Sequence, residues 1–147
     1  VNTLSIDPGG TTGMAHWLDG IGFESWEIKN GLEGFADWWF GELVPETYEH
    51  VVCEKFIITP TTHQKTRQYD ALYIIGLVLA TYSRRGFRTW TLQTPAHAKT
   101  FAKDTKLRHM KWYDGSPGGH ANDASRHLLT FLAKKEPLVR DQLEMML

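Results

Sequence analysis

Residues 4–13, Leu-Ser-Ile-Asp-Pro-Gly-Gly-Thr-Thr-Gly, alternate apolar and polar side chains up to an acid and then break into one proline and three glycines. The alternation is that of a strand, with Leu4 and Ile6 on one face and Asp7 on the other. Pro8 fixes one backbone torsion. Gly9, Gly10 and Gly13 permit positive φ and let a phosphate or metal reach the backbone without meeting a Cβ. The chain must therefore run as a strand, turn and come back, leaving a carboxylate at the lip of a sheet. By itself the segment is equally a hairpin with a solvated Asp.

The segments that follow define one layered domain. Gly13–Trp17 and Phe23–Ile28 are short strands around Asp19-Gly20, so three strands make an antiparallel meander. Residues 32–43 have a helical pattern. Val51–Glu54 is a buried strand that also finishes on an acid, and residues 57–68 form a polar loop carrying His63, Lys65 and Arg67. A helix over 68–82 is apolar all round, with Tyr69, Leu72, Tyr73, Gly76, Leu77 and Ala80 on one stripe and Ala71, Ile75, Val78, Leu79 and Tyr82 on the other. One stripe packs on the sheet and the other needs a partner, which predicts a homodimer through this helix. Arg88–Leu92 is a fifth strand, Pro95–Lys103 a short helix, and Gly118-Gly119 introduces a long helix to about Lys135 that Pro137 closes. Residues 138–147 are predicted as a small terminal helix. The order predicts a single α/β domain over 1–147, a five-stranded mixed sheet flanked by helices, with 136–147 as a C-terminal extension.

A chain of 147 residues with 41% hydrophobic and 12% aromatic content can bury one real core, and the six tryptophans are assigned to packing. It has no apolar run of about eighteen residues and no basic-then-apolar leader, so a soluble protein without a membrane segment is expected. Cys53 is the only cysteine, which excludes an internal disulfide and a Cys-rich zinc site and fits a reducing, cytoplasmic compartment. The net charge of −1 hides a division along the chain. Residues 1–54 carry ten carboxylates against Lys29 alone, whereas residues 55–135 carry fourteen Lys and Arg against four Asp. So basic a middle region suits a phosphate-binding face and points to nucleic acid.

In His120-Ala-Asn-Asp123-Ala-Ser-Arg-His127, a helical repeat turns Ala121, Ala124, Leu128 and Phe131 toward the core and sets His120, Asp123 and His127 along one flank. The small alanines bring that flank close to the sheet, where Asp7, Glu54 and Asp123 can converge with His120. Oxygen-rich ligands with one imidazole and no thiolate suit Mg²⁺ or Mn²⁺. Two such ions about 4 Å apart can activate water and stabilise the leaving 3′ oxygen of a phosphodiester. Each acid also has an ordinary structural explanation: a turn residue, a strand end, and a helix N-terminal carboxylate favoured by the macrodipole.

With these segments in view, the chain resembles the RuvC family of Holliday-junction resolvases, nucleases of the RNase H-like superfamily. Ile6-Asp7-Pro8-Gly9 with Thr12-Gly13 is similar to the first motif of that family, and Glu54-Lys55-Phe56 to the second. Pro95–Lys99 is similar to the segment presenting a basic residue after the fifth strand, and His120–Asp123 with Ala124 to the last motif. The resemblance implies an RNase H-like fold and a dimeric endonuclease that nicks opposing strands of four-way DNA junctions. It implies Asp7, Glu54, His120 and Asp123 as ligands of two Mg²⁺ or Mn²⁺ ions, Lys99 near the scissile phosphate, and Phe56 stacking on a base. Lys65, Arg67, Lys103, Lys106, Arg108 and Lys111 are further candidates for DNA contacts. Between Lys103 and Gly118 the chain is shorter than the family pattern, so a helix before the last motif is expected to be reduced or missing.

Other function classes remain open at this point. An RNase H-like nuclease acting on flaps, other branched DNA or RNA would share the acids, and a non-catalytic nucleic-acid-binding module would share the fold. An actin-like ATPase uses a comparable first turn, but it needs a second half and a second phosphate loop that these residues do not supply.

Overall fold

The computed structural model describes residues 1–41, 47–56, 69–85 and 89–146, so the predicted DNA contacts Lys65 and Arg67 lie outside the described residues. Five strands, β1 (Thr3–Asp7), β2 (Thr12–Leu18), β3 (Gly22–Ile28), β4 (His50–Glu54) and β5 (Thr89–Gln93), form one sheet in the order β3-β2-β1-β4-β5. The predicted meander is present, with β1–β2 and β2–β3 antiparallel, while β4 and β5 add in parallel beyond β1. The described residues also hold six helices: α1 (Gly31–Gly41), α2 (Tyr69–Arg85), α3 (Pro95–Phe101), α4 (Asp104–His109), α5 (His120–Lys135) and α6 (Pro137–Glu144). None of the described helices is long and apolar enough to cross a membrane.

Strand alternation divides the interior into two cores, one on each face of the sheet. Leu4, Ile6, Met14, Val51 and Cys53 pack under α1 and α2 with Phe35, Trp39, Ile74, Val78 and Tyr82. On the other face Ala15 meets Ala124, Leu128 and Leu132 of α5, and Leu107, Met110, Trp112 and Val139 close the layer. Small residues let α5 lie close: Ser5 Oγ of β1 donates a buried 2.7 Å hydrogen bond to the Ala124 carbonyl. That bond ties the helix to the strand that ends in Asp7. Phe23 stacks on Trp112 at 4.3 Å, so most of the tryptophans are packing groups as expected, although Trp90 is 42% exposed.

Several boundaries differ from expectation. α3 stops at Phe101 rather than Lys103, and Lys103 instead takes the extended N-cap position of a second short helix, α4, in the segment where a helix was expected to be reduced or missing. Pro137 does not merely close α5. It occupies the first turn of α6, where its missing N–H costs nothing, and Glu136 caps that turn by accepting from the Leu138 amide. α2 runs three residues further than predicted, and its buried stripe is Ala71, Ile74, Val78 and Tyr82. Tyr69, Tyr73, Gly76 and Ala80 face outward, so Leu72 and Leu77, predicted on the same stripe, lie at its half-buried margin.

Candidate active site

Asp7, Glu54 and Gln93 end three neighbouring strands. Their register puts them in one row, since Ile6 pairs with Cys53 and Glu54 pairs with Gln93. All three share the parity of Ser5 and Val52, so they point to the α5 face, at the carboxyl ends of parallel strands where open α/β sheets bind ligands. Gly13 extends the row on the other side, opposite Asp7.

α5 supplies the fourth wall because nothing at Gly13 keeps it away. A Cβ at that position would sit 1.8 Å from the His120 carbonyl oxygen, so the glycine admits the start of the helix. This corrects the expected role of the turn. Gly9, Gly10 and Gly13 are not among the residues with positive φ, and what approaches the backbone at Gly13 is the chain's own helix.

Asp123, one turn into α5, lies near enough to the strand ends for its charge to act on Asp7. The Asp7 carboxyl is pushed up to about 9, first by burial, then by its hydrogen bond to Glu54 and by the negative charges of Glu54 and Asp123; Lys99 opposes the rise. Glu54 is held below the usual carboxylate range. Burial pushes it up, but hydrogen bonds from His127 and Asp7 and the nearby His127 and Lys99 charges outweigh that. Asp7 and Glu54 thus hold one proton between them well above the ordinary carboxylate range. Glu54, Asp123 and Lys99 are all close enough to act on the Asp7 carboxyl. Lys99 itself is exposed on α3.

His127 is the residue that sequence reasoning passed over. Its ring is buried, with Nε2 3.0 Å from Glu54 Oε2 and Nδ1 3.0 Å from Gln93 Oε1. It stands four residues beyond Asp123, on the same helix flank, and that spacing was its signal. His120 is placed differently: its ring lies beside Gly118, and among the described residues no hydrogen bond or ion pair joins it to the acids. Arg126 pairs with Asp123 along the helix. Its Nε lies 3.5 Å from Asp123 Oδ1, while its two terminal nitrogens donate to Asp104 Oδ1 at 2.6 Å and to the Ala102 carbonyl at 2.9 Å.

The other predicted contact residues are dispersed. Phe56 is half-buried two residues beyond Glu54, Lys103 and Lys111 are exposed, Lys106 lies 3.8 Å over the Phe101 ring, and Arg108 lies 3.7 Å over Tyr113.

The donor chemistry fits a hard cation. Two carboxyl groups in contact and a third nearby hold excess negative charge, expressed in the raised Asp7, which a divalent ion would neutralise. The side chains are not drawn together as a finished cage: among the described residues no group of three or more His, Cys, Asp or Glu is arranged to hold one ion.

No protein-family model matches the chain, and no curated protein matches it in sequence. Solved structures do. Thermus thermophilus RuvC in complex with a Holliday junction substrate is similar at a TM-score of 0.62 and 16% identity, over 92% of this chain and 96% of that one. A second Thermus thermophilus RuvC structure gives 0.56 and 18%, over 91% and 96%. Strand order, the seat of α5 and this overlap together establish that the chain has the RNase H-like fold of RuvC.

Proposed function

We propose that this chain is a divalent-cation-dependent endonuclease that hydrolyses phosphodiester bonds in branched DNA, four-way junctions foremost. The observation that carries the reading is the convergence of Asp7, Glu54 and Asp123, from β1, β4 and α5, into one electrostatic neighbourhood beside Lys99. Support for the substrate class comes from the shared fold of a RuvC bound to a Holliday junction substrate.

Asp7, Glu54 and Asp123 are the residues that would hold Mg²⁺ or Mn²⁺, with His120 at the helix start as the fourth. When bound, a pair of such ions supplies an activated water and stabilises the leaving oxygen. The chain's own groups prepare the site. His127, anchored by Gln93, fixes the orientation of Glu54, and Arg126 fixes that of Asp123. Lys99 sets a positive charge where a phosphate oxygen approaches the acids, and Phe56 offers a ring to an unpaired base. Cutting two opposed strands takes two such sites. The outward stripe of α2, with Tyr69 43% and Tyr73 57% exposed, is the surface through which a second copy docks.

Incubation with four-way, three-way, flap and duplex DNA, in Mg²⁺, Mn²⁺ or EDTA, tests the reading. Paired nicks in the four-way junction, bearing 5′ phosphates and lost in EDTA, are expected. Intact junctions in both metals, or cleavage undiminished by EDTA, would overturn it.

A further inference from the structure

Past the acids, α5 keeps the same flank turned toward β5. Asp123, His127, Thr130 and Lys134 recur at steps of four and three residues, so the flank that begins with the acid ends with a lysine. Three cavities adjoin along it. One of about 460 Å³ lies between Gln93, His97, Thr130, Phe131 and Lys134. A second of about 560 Å³ shares His97, Thr130 and Lys134 and adds Lys106. A third of about 640 Å³ shares Thr91, Phe131 and Lys135 and reaches His50. They make one trough that starts at Gln93, the residue bonded to His127, and opens outward because β5 is the edge strand.

The lining is cationic. Lys106, Lys134 and Lys135 line it together with His97, and the only carboxylate among its described lining residues is Glu49, at the far end. Phe101 holds Lys106 in place from below, with the ammonium 3.8 Å from the ring centroid. A helix C-terminus favours lysines for its own dipole, which explains Lys134 and Lys135 singly. Lys106 belongs to the last turn of a different helix, α4, and the dipoles of two separate helices do not require their lysines to face the same trough.

We infer that this trough carries one strand of the nucleic-acid backbone away from the acids, so that the chain grips its substrate on one flank at a distance from the cut. The inference rests on the nuclease reading and extends it. Lys134 stands eleven residues beyond Asp123, about 16 Å along the helix, which is about five steps of a duplex strand. An unpaired strand edge would also accept an extended peptide, but the row of cations favours phosphates.

The test is DNA binding in Ca²⁺ across a range of salt, with wild type and the double variant Lys134→Ala, Lys135→Ala. Four-way junctions are used with normal linkages or with uncharged methylphosphonates at about the fourth to sixth positions from the expected cut. The variant should weaken binding roughly tenfold and lower the slope of log K against log salt by about 1.8, that is about 0.9 per lost contact. Wild type on the methylphosphonate junction should show the same loss, and combining the two changes should add little. An unchanged slope, or an equal further loss on the methylphosphonate junction, overturns the trough while wild-type cleavage leaves the nuclease reading intact. Failure of wild type to cut, with the slope change present, removes the nuclease reading and leaves the trough. An acidic extended peptide that binds this edge while DNA affinity is unmoved would assign it to a protein partner and also overturn the inference.

Discussion

Asp7→Asn and Asp123→Asn are each expected to lower the rate of junction cleavage by at least ~10³-fold while leaving junction binding within a few-fold of wild type. Losing an outer partner of a metal ligand already costs 10–100-fold, and these are the proposed ligands themselves. Binding survives because the cations that neutralise phosphates, Lys99 and the lysines of the trough, are untouched. Asp7→Asn carries a second expectation. Its carboxyl is raised to about 9 by burial and by Glu54, so near neutral pH the native group already holds a proton. A neutral amide of the same shape replaces a group that is already neutral and can still donate to Glu54, so it should not lower the melting temperature. Cleavage and binding falling together in both variants would show that the acids support the fold and not the chemistry.

Gly13→Ala should also be damaging, through the packing of the site and not through a lost ligand. The added methyl carbon would lie 1.8 Å from the His120 carbonyl oxygen and 2.4 Å from its carbon. Both atoms are backbone, so no rotamer change relieves the clash. The start of α5 must move, while the Ser5–Ala124 hydrogen bond holds the next turn to β1. A destabilisation of about 3 kcal/mol is expected, at the upper end for overpacking. Displacing Asp123 by about 1 Å should also cost on the order of 10²-fold in cleavage. Gly10→Ala is the control, because a Cβ there meets nothing within 4 Å and φ is not positive. It should melt and cut like wild type. Thermal melts of both variants, paired with cleavage rates, separate the close approach at Gly13 from a general need for glycine in the turn.

What could be read before the structure was whatever depends on local periodicity. Alternation placed Asp7 and Glu54 at strand ends, and the helical repeat from Ala121 to Leu128 placed Asp123 against the sheet. Matters settled by contacts between distant segments could not be read. Gly13 looked like a flexible hinge because the helix that fills its empty side begins more than a hundred residues later. His120 and His127 occupied the same flank, and only the depth of α5 on the sheet decides that His127 reaches Glu54. Gln93 carried no signal of its own, and its role follows from its register with Glu54. The bounds of α4 could not be read, because six residues from Asp104, with no side-chain cap at Lys103, give too short a pattern. Lys134 and Lys135 carried no signal of their own, because their place beside cavities that begin at Gln93 depends on how α5 packs along β5.

The claim on which everything turns is that Asp7, Glu54 and Asp123 hold divalent cations, and anomalous diffraction from crystals grown with Mn²⁺ addresses it most directly. The account predicts manganese peaks about 2.1–2.2 Å from carboxylate oxygens of these three residues, bringing a loose group of acids into a closed site. An ordered Asp7–Glu54–His127 cluster with no manganese beside it, under conditions in which the same protein cuts junction DNA, would contradict it.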